Sequence, residues 1–136
     1  LNKRTPLPHL IDSVLPIVEA GRAMMVSNDF ALDDKVWLAP TPGHTPDHFS
    51  IRLSSNGFDG VMSGDLMHCP VQCRHPEWVA RPDYKPEQAI ETRRAFMETY
   101  CETDVLVCTA HFPLPSAGHF VRHGDVFDFE YDTVDW

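Results

Sequence analysis

The sequence predicts an α/β fold. Short apolar runs with strand character alternate with helical patterns along the chain. Pro- and Gly-rich corners separate them. Histidines and an aspartate fall where predicted strands end, which is where α/β folds gather their sites.

Taken in order, Leu10, Ile11, Val14, Leu15 and Val18 recur at helical spacing, and Gly21 supplies a stop. Pro16 lies inside this pattern, so the helix is expected to kink there or restart near Ser13. Ala23 to Val26 reads as a short strand, and Val36 to Leu38 as another that ends at Pro40-Thr41-Pro42-Gly43. Phe49, Ile51 and Leu53 alternate with Ser50, Arg52 and Ser54, the pattern of a half-buried strand. Ser55-Asn56-Gly57 is a hairpin turn, and Gly60, Val61 and Met62 return as a strand into Ser63-Gly64-Asp65. Residues 66 to 85 read as irregular, broken by Pro70, Pro76 and Pro82. Pro86 suits the first turn of a helix whose apolar face is Ala89, Ile90, Phe96, Met97 and Tyr100. Val105 to Val107 is a buried strand ending at Thr109-Ala110-His111. Phe120–Val121 and Val126–Tyr131 form two last strands, turning at His123-Gly124-Asp125.

The chain has 136 residues, enough for one domain or part of one. Lys and Arg number 11 against 20 Asp and Glu, a net charge of −9, which argues against a nucleic-acid binder and against docking on an anionic membrane. No apolar run approaches a membrane span, and no secretory leader pattern is present. The four cysteines, Cys69, Cys73, Cys101 and Cys108, lack the spacing of a stapled domain. They read as reduced thiols, and the expected compartment is cytoplasmic.

Eight histidines are many for this length. His44, Asp65 and His111 each follow or end a predicted strand. Two imidazoles and a carboxylate brought together in this way are a metal-ligand set; each alone is more often a hydrogen-bonded structural residue.

The segments around them resemble the metallo-β-lactamase superfamily. Thr41-Pro42-Gly43-His44-Thr45-Pro46-Asp47-His48 is similar to its TPGHTPGH segment. Ser63-Gly64-Asp65 is similar to its strand-end Gly-Asp, 21 positions after His44, and Ala110-His111-Phe112-Pro113 to its last ligand segment. The runs Gly64 to Gln72, Thr92-Arg93-Arg94 and His111 to Gly118 resemble the branch of lactonases and methyl-parathion-hydrolase-like enzymes. The resemblance covers about Leu10 to Tyr131 and implies the C-terminal half of a four-layer αββα sandwich. It implies His44 and His111 as metal ligands and Asp65 as a ligand bridging two divalent ions, zinc first, with iron, manganese or cobalt as alternatives. The implied activity is hydrolysis of small esters, lactones or organophosphates through a metal-bound hydroxide. The family's earlier HxHxDH segment does not occur in this sequence, so residues 1–136 are expected to be a partial domain that lacks the N-terminal half. Such a chain is expected to be inactive alone. It is expected to self-associate or to pair with that half, through an apolar sheet face formed by Phe49, Ile51, Leu53 and Val61. Two other readings remain: a non-catalytic binding or assembly module with a degenerate half-site, and a mono-iron oxidoreductase of the same fold.

Further candidates are each weighed against a structural role. Asp47 stands where the family has Gly, and Asp tolerates positive φ better than most residues. His48 is expected to support the ligands by hydrogen bonding. His68, Trp78 and His119 are substrate-contact candidates; Trp37 and Trp136 are expected to pack. His68-Cys69 to Cys73-His75 imitates a zinc knot, but a pocket-lining loop with buried thiols is the favoured reading. Arg93 interrupts the apolar face of its helix, which suggests a buried ion pair or a snorkelling side chain.

Overall fold

In a computed structural model, residues 8–133 are described; Trp136 lies outside them. The chain opens with one wide π-type turn, Leu10–Val14, followed by helix α1 (Leu15–Glu19) with Pro16 in its first turn. Proline has no N–H to donate back to the preceding turn, so the regular ladder cannot run through it and the helix restarts there. The apolar face of this segment is unpacked: Leu10, Ile11, Val14, Leu15, Ile17 and Val18 are all exposed. Ala23 to Val26 is not the strand expected from its residues. No neighbouring strand supplies a ladder there, and Met24 and Met25 stand in solvent.

Among the described residues, six strands form one sheet in sequence order: β1 (Val36–Pro40), β2 (Phe49–Ser55), β3 (Phe58–Met62), β4 (Leu106–Cys108), β5 (Ala117–His123) and β6 (Val126–Tyr131). All neighbours are antiparallel except β3 and β4, which run parallel. A parallel pair needs a crossover. Helix α3 (Pro86–Tyr100) lies within it, after the short helix α2 (Val71–Arg74). The β2–β3 hairpin closes on Asn56 and Gly57, both at positive φ, as a tight two-residue turn requires.

Helix α3 covers one face of the sheet. Phe96, Met97 and Tyr100 pack with Val61, Val107, Phe120, Phe127 and Phe129, joined by Leu66, Met67, Cys73 and Phe112 from the loops. Phe96–Phe120 and Phe120–Phe129 meet edge to face with centroids 6.1 and 5.4 Å apart. Two expectations are corrected here. Val61 belongs to this core, fully buried, and not to an exposed apolar face. It pairs with Arg52, one position out of step with the Leu38–Ile51–Met62 row that faces the other way. Ser50, read as part of the polar side of its strand, is also fully buried. Its hydroxyl lies 3.1 Å from that of Thr41 and donates to the Ser63 carbonyl, so the burial is compensated.

On the opposite face, Met62 is exposed, while Phe49, Ile51 and Leu53 are half-buried. Phe49, Ile51, Met62 and Cys108 line one shallow cavity there.

Candidate metal centre

Three loops at one end of the sheet carry the candidate residues. The first joins β1 to β2. Gly43 seats it against the start of α3: a Cβ at Gly43 would lie 2.5 Å from the backbone N and Cα of Ala89, and φ is +137°. Lys85 N–H donates to Gly43 O, Tyr84 N–H to His44 O, and the Thr92 hydroxyl to Pro42 O. His44 is thereby held from both sides. The second loop leaves β3 in a single 3₁₀ turn, Gly64–Leu66, where Asp65 adopts φ −85°, ψ 23°. The third follows β4. It is folded back by Thr109, whose N–H and hydroxyl both donate to Ser116 O, and anchored by Phe112 edge-on to Phe129.

These loops bring His44, Asp65 and His111 together. Asp65 presents one oxygen to each imidazole: Oδ1 lies 2.9 Å from His111 Nε2, and Oδ2 lies 3.4 Å from His44 Nε2. His48 Nε2 accepts the backbone N–H of Asp65 at 3.0 Å. Its Nδ1 lies 3.0 Å from Thr41 O, which suits a proton on Nδ1. Burial lowers the His48 pKa, so this imidazole is neutral near pH 7 and free to accept. Asp47 is not at positive φ, so its replacement of Gly imposes no strain.

His68 fills the space between the two ligand candidates. Its ring is 5.0 Å from His44 and stacks on His111 at 4.9 Å and 12°. Burial first, then the neighbouring His44 and His111, push its pKa down. Partial burial alone would raise Asp65. The hydrogen bond from His111 and the imidazoles around it outweigh that and hold its carboxyl below the usual range.

The donor set suits a divalent cation. Asp65, His68 and His111 each have a ligand atom within 4.8 Å of the others', and so do His44, His68 and Asp83. His68 Nδ1 is buried without a hydrogen-bond partner, an orphaned polar atom that fits a cation-binding role. Imidazole nitrogens and a carboxylate match zinc and the other divalent transition metals. Among the described residues, these groups contain no cysteine. Cys73 is buried, and that burial pushes its thiol up to about 12. The pocket-lining reading of this loop fits better than the zinc knot.

No protein-family model and no curated protein matches the sequence. Solved structures do. The dizinc quorum-quenching lactonase AidC, in complex with a product, superposes with a TM-score of 0.78 at 20% identity, over 93% of this chain and 46% of its own. Hydrolase AbOPH of the β-lactamase superfamily gives 0.78 at 25% identity, over 90% and 42%. A probable metal-dependent hydrolase from Staphylococcus aureus gives 0.63 at 19% identity, over 85% and 42%. The chain matches part of the metallo-β-lactamase fold. It spans less than half the length of each of these neighbours.

Within this metallo-β-lactamase fold, the expected residues divide. His44, Asp65, His111, His48 and His68 form one cluster. Trp78 stands apart: its exposed ring stacks on His75 at 4.8 Å, and its carbonyl accepts from Gln72 and Arg93. His119 lies on β5 beside Glu130, its Nδ1 buried and unpartnered. Arg93 is fully buried and ion-paired, as its place on the apolar face suggests. Asp83 is the residue that the sequence did not reveal. Its side chain is fully buried 3.0 Å from His44 Nδ1, yet it sits in a Pro-broken loop without periodicity. The one signal was the charge of Arg93 on the apolar face, which left a buried partner open without naming it. No described helix is long and apolar enough to cross a membrane.

Proposed function

We propose that this chain supplies part of the metal centre of a hydrolase that acts on small esters, lactones or organophosphates. One observation carries the reading: a single carboxylate, Asp65, offers one oxygen to each of two imidazoles from different loops. Such a carboxylate would bridge two ions, with His44 and His111 as terminal ligands. The fold shared with lactonases and hydrolases supports it. Zinc is the first candidate, with iron, manganese or cobalt as alternatives.

When bound, such a metal supplies an activated water and polarises the bond under attack. The chain's own residues prepare the place. His48 fixes the backbone of Asp65, and with it the direction of the carboxylate. His68 is neutral near pH 7 and lies between both ligands, where its ring meets a substrate carbonyl or phosphoryl group. Gln72 steadies it by accepting the His68 N–H at 2.7 Å while donating to Trp78 O. Trp78, stacked on His75, and His119, opposite Glu130, stay substrate-contact candidates outside the metal ligands. With Asp65 counted for both ions, these protein ligands are few for two metals.

Zinc titration of the purified chain tests this, compared with Asp65→Ala. Uptake is expected to be measurable but weak, because affinity grows with ligand number and rigidity. Asp65→Ala is expected to abolish it. A chain that takes up no zinc, or a variant that binds as the parent does, refutes the assignment.

A further inference from the structure

Asp83 and Arg93 form a buried ionic pair directly behind His44. Both side chains are fully shielded from solvent. Taking two charges out of water is unfavourable unless geometry and hydrogen bonds compensate. A pair kept at that cost, against a candidate ligand, asks for a reason.

The geometry supplies one. Arg93 is anchored at three points. Its Nε donates to Leu66 O at 3.1 Å, and its Nη1 donates to Pro76 O at 2.6 Å and to Trp78 O at 3.3 Å. These carbonyls belong to the loop that begins at Asp65 and carries His68. Its Nη2 has no hydrogen bond and faces Asp83 Oδ2 at 3.7 Å. Asp83 in turn accepts the Ala80 N–H through Oδ2 at 2.9 Å, which leaves Oδ1 for His44 Nδ1 at 3.0 Å. A carboxylate only accepts, so a neutral His44 that bonds Asp83 carries its proton on Nδ1. Nε2 is left with its lone pair on the side of Asp65. One guanidinium thus ties together α3, the loop bearing Asp65 and His68, and the carboxylate behind His44.

We propose that Asp83, braced by Arg93, is a positioning residue that fixes the tautomer and ring plane of His44 so that Nε2 faces the metal position. This rests on the metal-centre reading above, but its first test does not. In the zinc-free chain, long-range proton–nitrogen spectra taken where His44 is neutral read which ring nitrogen carries the proton. The expected form is Nδ1–H. Asp83→Asn strands a buried guanidinium, so the double variant D83N/R93M, which removes both charges, is measured beside it. In the double variant the spectra are expected to lose the single Nδ1–H form. Zinc affinity is expected to fall about 10- to 100-fold, the usual effect of removing the group behind a ligand histidine. A proton on Nε2 in the parent overturns the proposal, and this outcome needs no variant to fold. An unchanged tautomer in the double variant, or an affinity within about threefold of the parent, overturns it as well. If the parent takes up no zinc, the metal-centre reading fails and the tautomer alone decides the role of Asp83.

Discussion

Replacing Gly43 by alanine should damage both the fold and the metal cluster, and the size of the damage follows from the structure. The added Cβ would stand 2.5 Å from two backbone atoms of Ala89, roughly 1 Å inside the 3.4 Å where ordinary contact begins. Backbone of α3 cannot rotate aside as a flexible side chain would. A non-glycine residue held at strained, positive φ costs about 1–3 kcal/mol, and forcing a methyl group into filled space about 1–3 kcal/mol more. The expected loss is therefore about 2–6 kcal/mol, a large share of the ~5–15 kcal/mol that stabilises a typical domain. Relief by moving the loop about 1 Å would also break the His44 contacts, because a 3.0 Å hydrogen bond to Asp83 does not survive that displacement. Gly57 is the control. It too has positive φ, but nothing lies within 4 Å of its virtual Cβ, so Gly57→Ala carries the backbone cost alone. Urea midpoints for both variants, with zinc titrations beside them, separate the contributions. The reasoning is refuted if Gly43→Ala loses no more stability than Gly57→Ala, or if it keeps the parent's zinc affinity.

The remaining predictions concern acid and the bare sheet face. His48 and His68 have folded-state pKa values below 6.5, so the unfolded chain binds more protons as pH falls through that value. Their contribution to stability is present above about pH 6.5 and is lost as pH falls toward their lower folded values. Asp65 acts in the same direction at lower pH, its contribution being lost below its ordinary 3.8. Thermal melts of the metal-free chain should fall between pH 7.5 and 5, and a flat profile would remove the case for neutral imidazoles. Leu38, Ile51 and Met62 lie in one row across β1 to β3 on the face that α3 leaves bare, with Phe49 beside them. We expect concentration-dependent association in sedimentation, weakened by Ile51→Lys; a monomer across a wide concentration range would show that this face tolerates water.

The strands and the meeting of His44, Asp65 and His111 were legible in the sequence for the same reason: both are written in local pattern. Pro42-Gly43 and Asn56-Gly57 mark turns that few other residues allow, and period-two alternation marks β2. His44, Asp65 and His111 stand at the ends of such runs, where a short strand leaves little room for error. What failed is what depends on partners. Ala23 to Val26 has strand residues but no strand beside it. Val61 was grouped with the wrong face, and Ser50, though on its expected face, was not expected to be buried, because alternation gives the period and not which face α3 covers.

Asp83 shows where pattern ends and packing begins. It lies 39 positions from His44 and ten from Arg93, in a stretch with no period, so no local rule joins the three. Arg93 on the apolar face left a buried ion pair or a snorkelling side chain open, and its full burial beside Asp83 decides for the pair. Choosing that acid required knowing that α3 returns beneath the β1–β2 loop, and this follows from the parallel β3–β4 crossover. The crossover that completes the sheet therefore also delivers the charge behind His44. It follows that the stability of this half of the fold and the orientation of its candidate ligand are coupled through α3. Variants at Arg93 and at Gly43 should disturb the same imidazole from opposite sides.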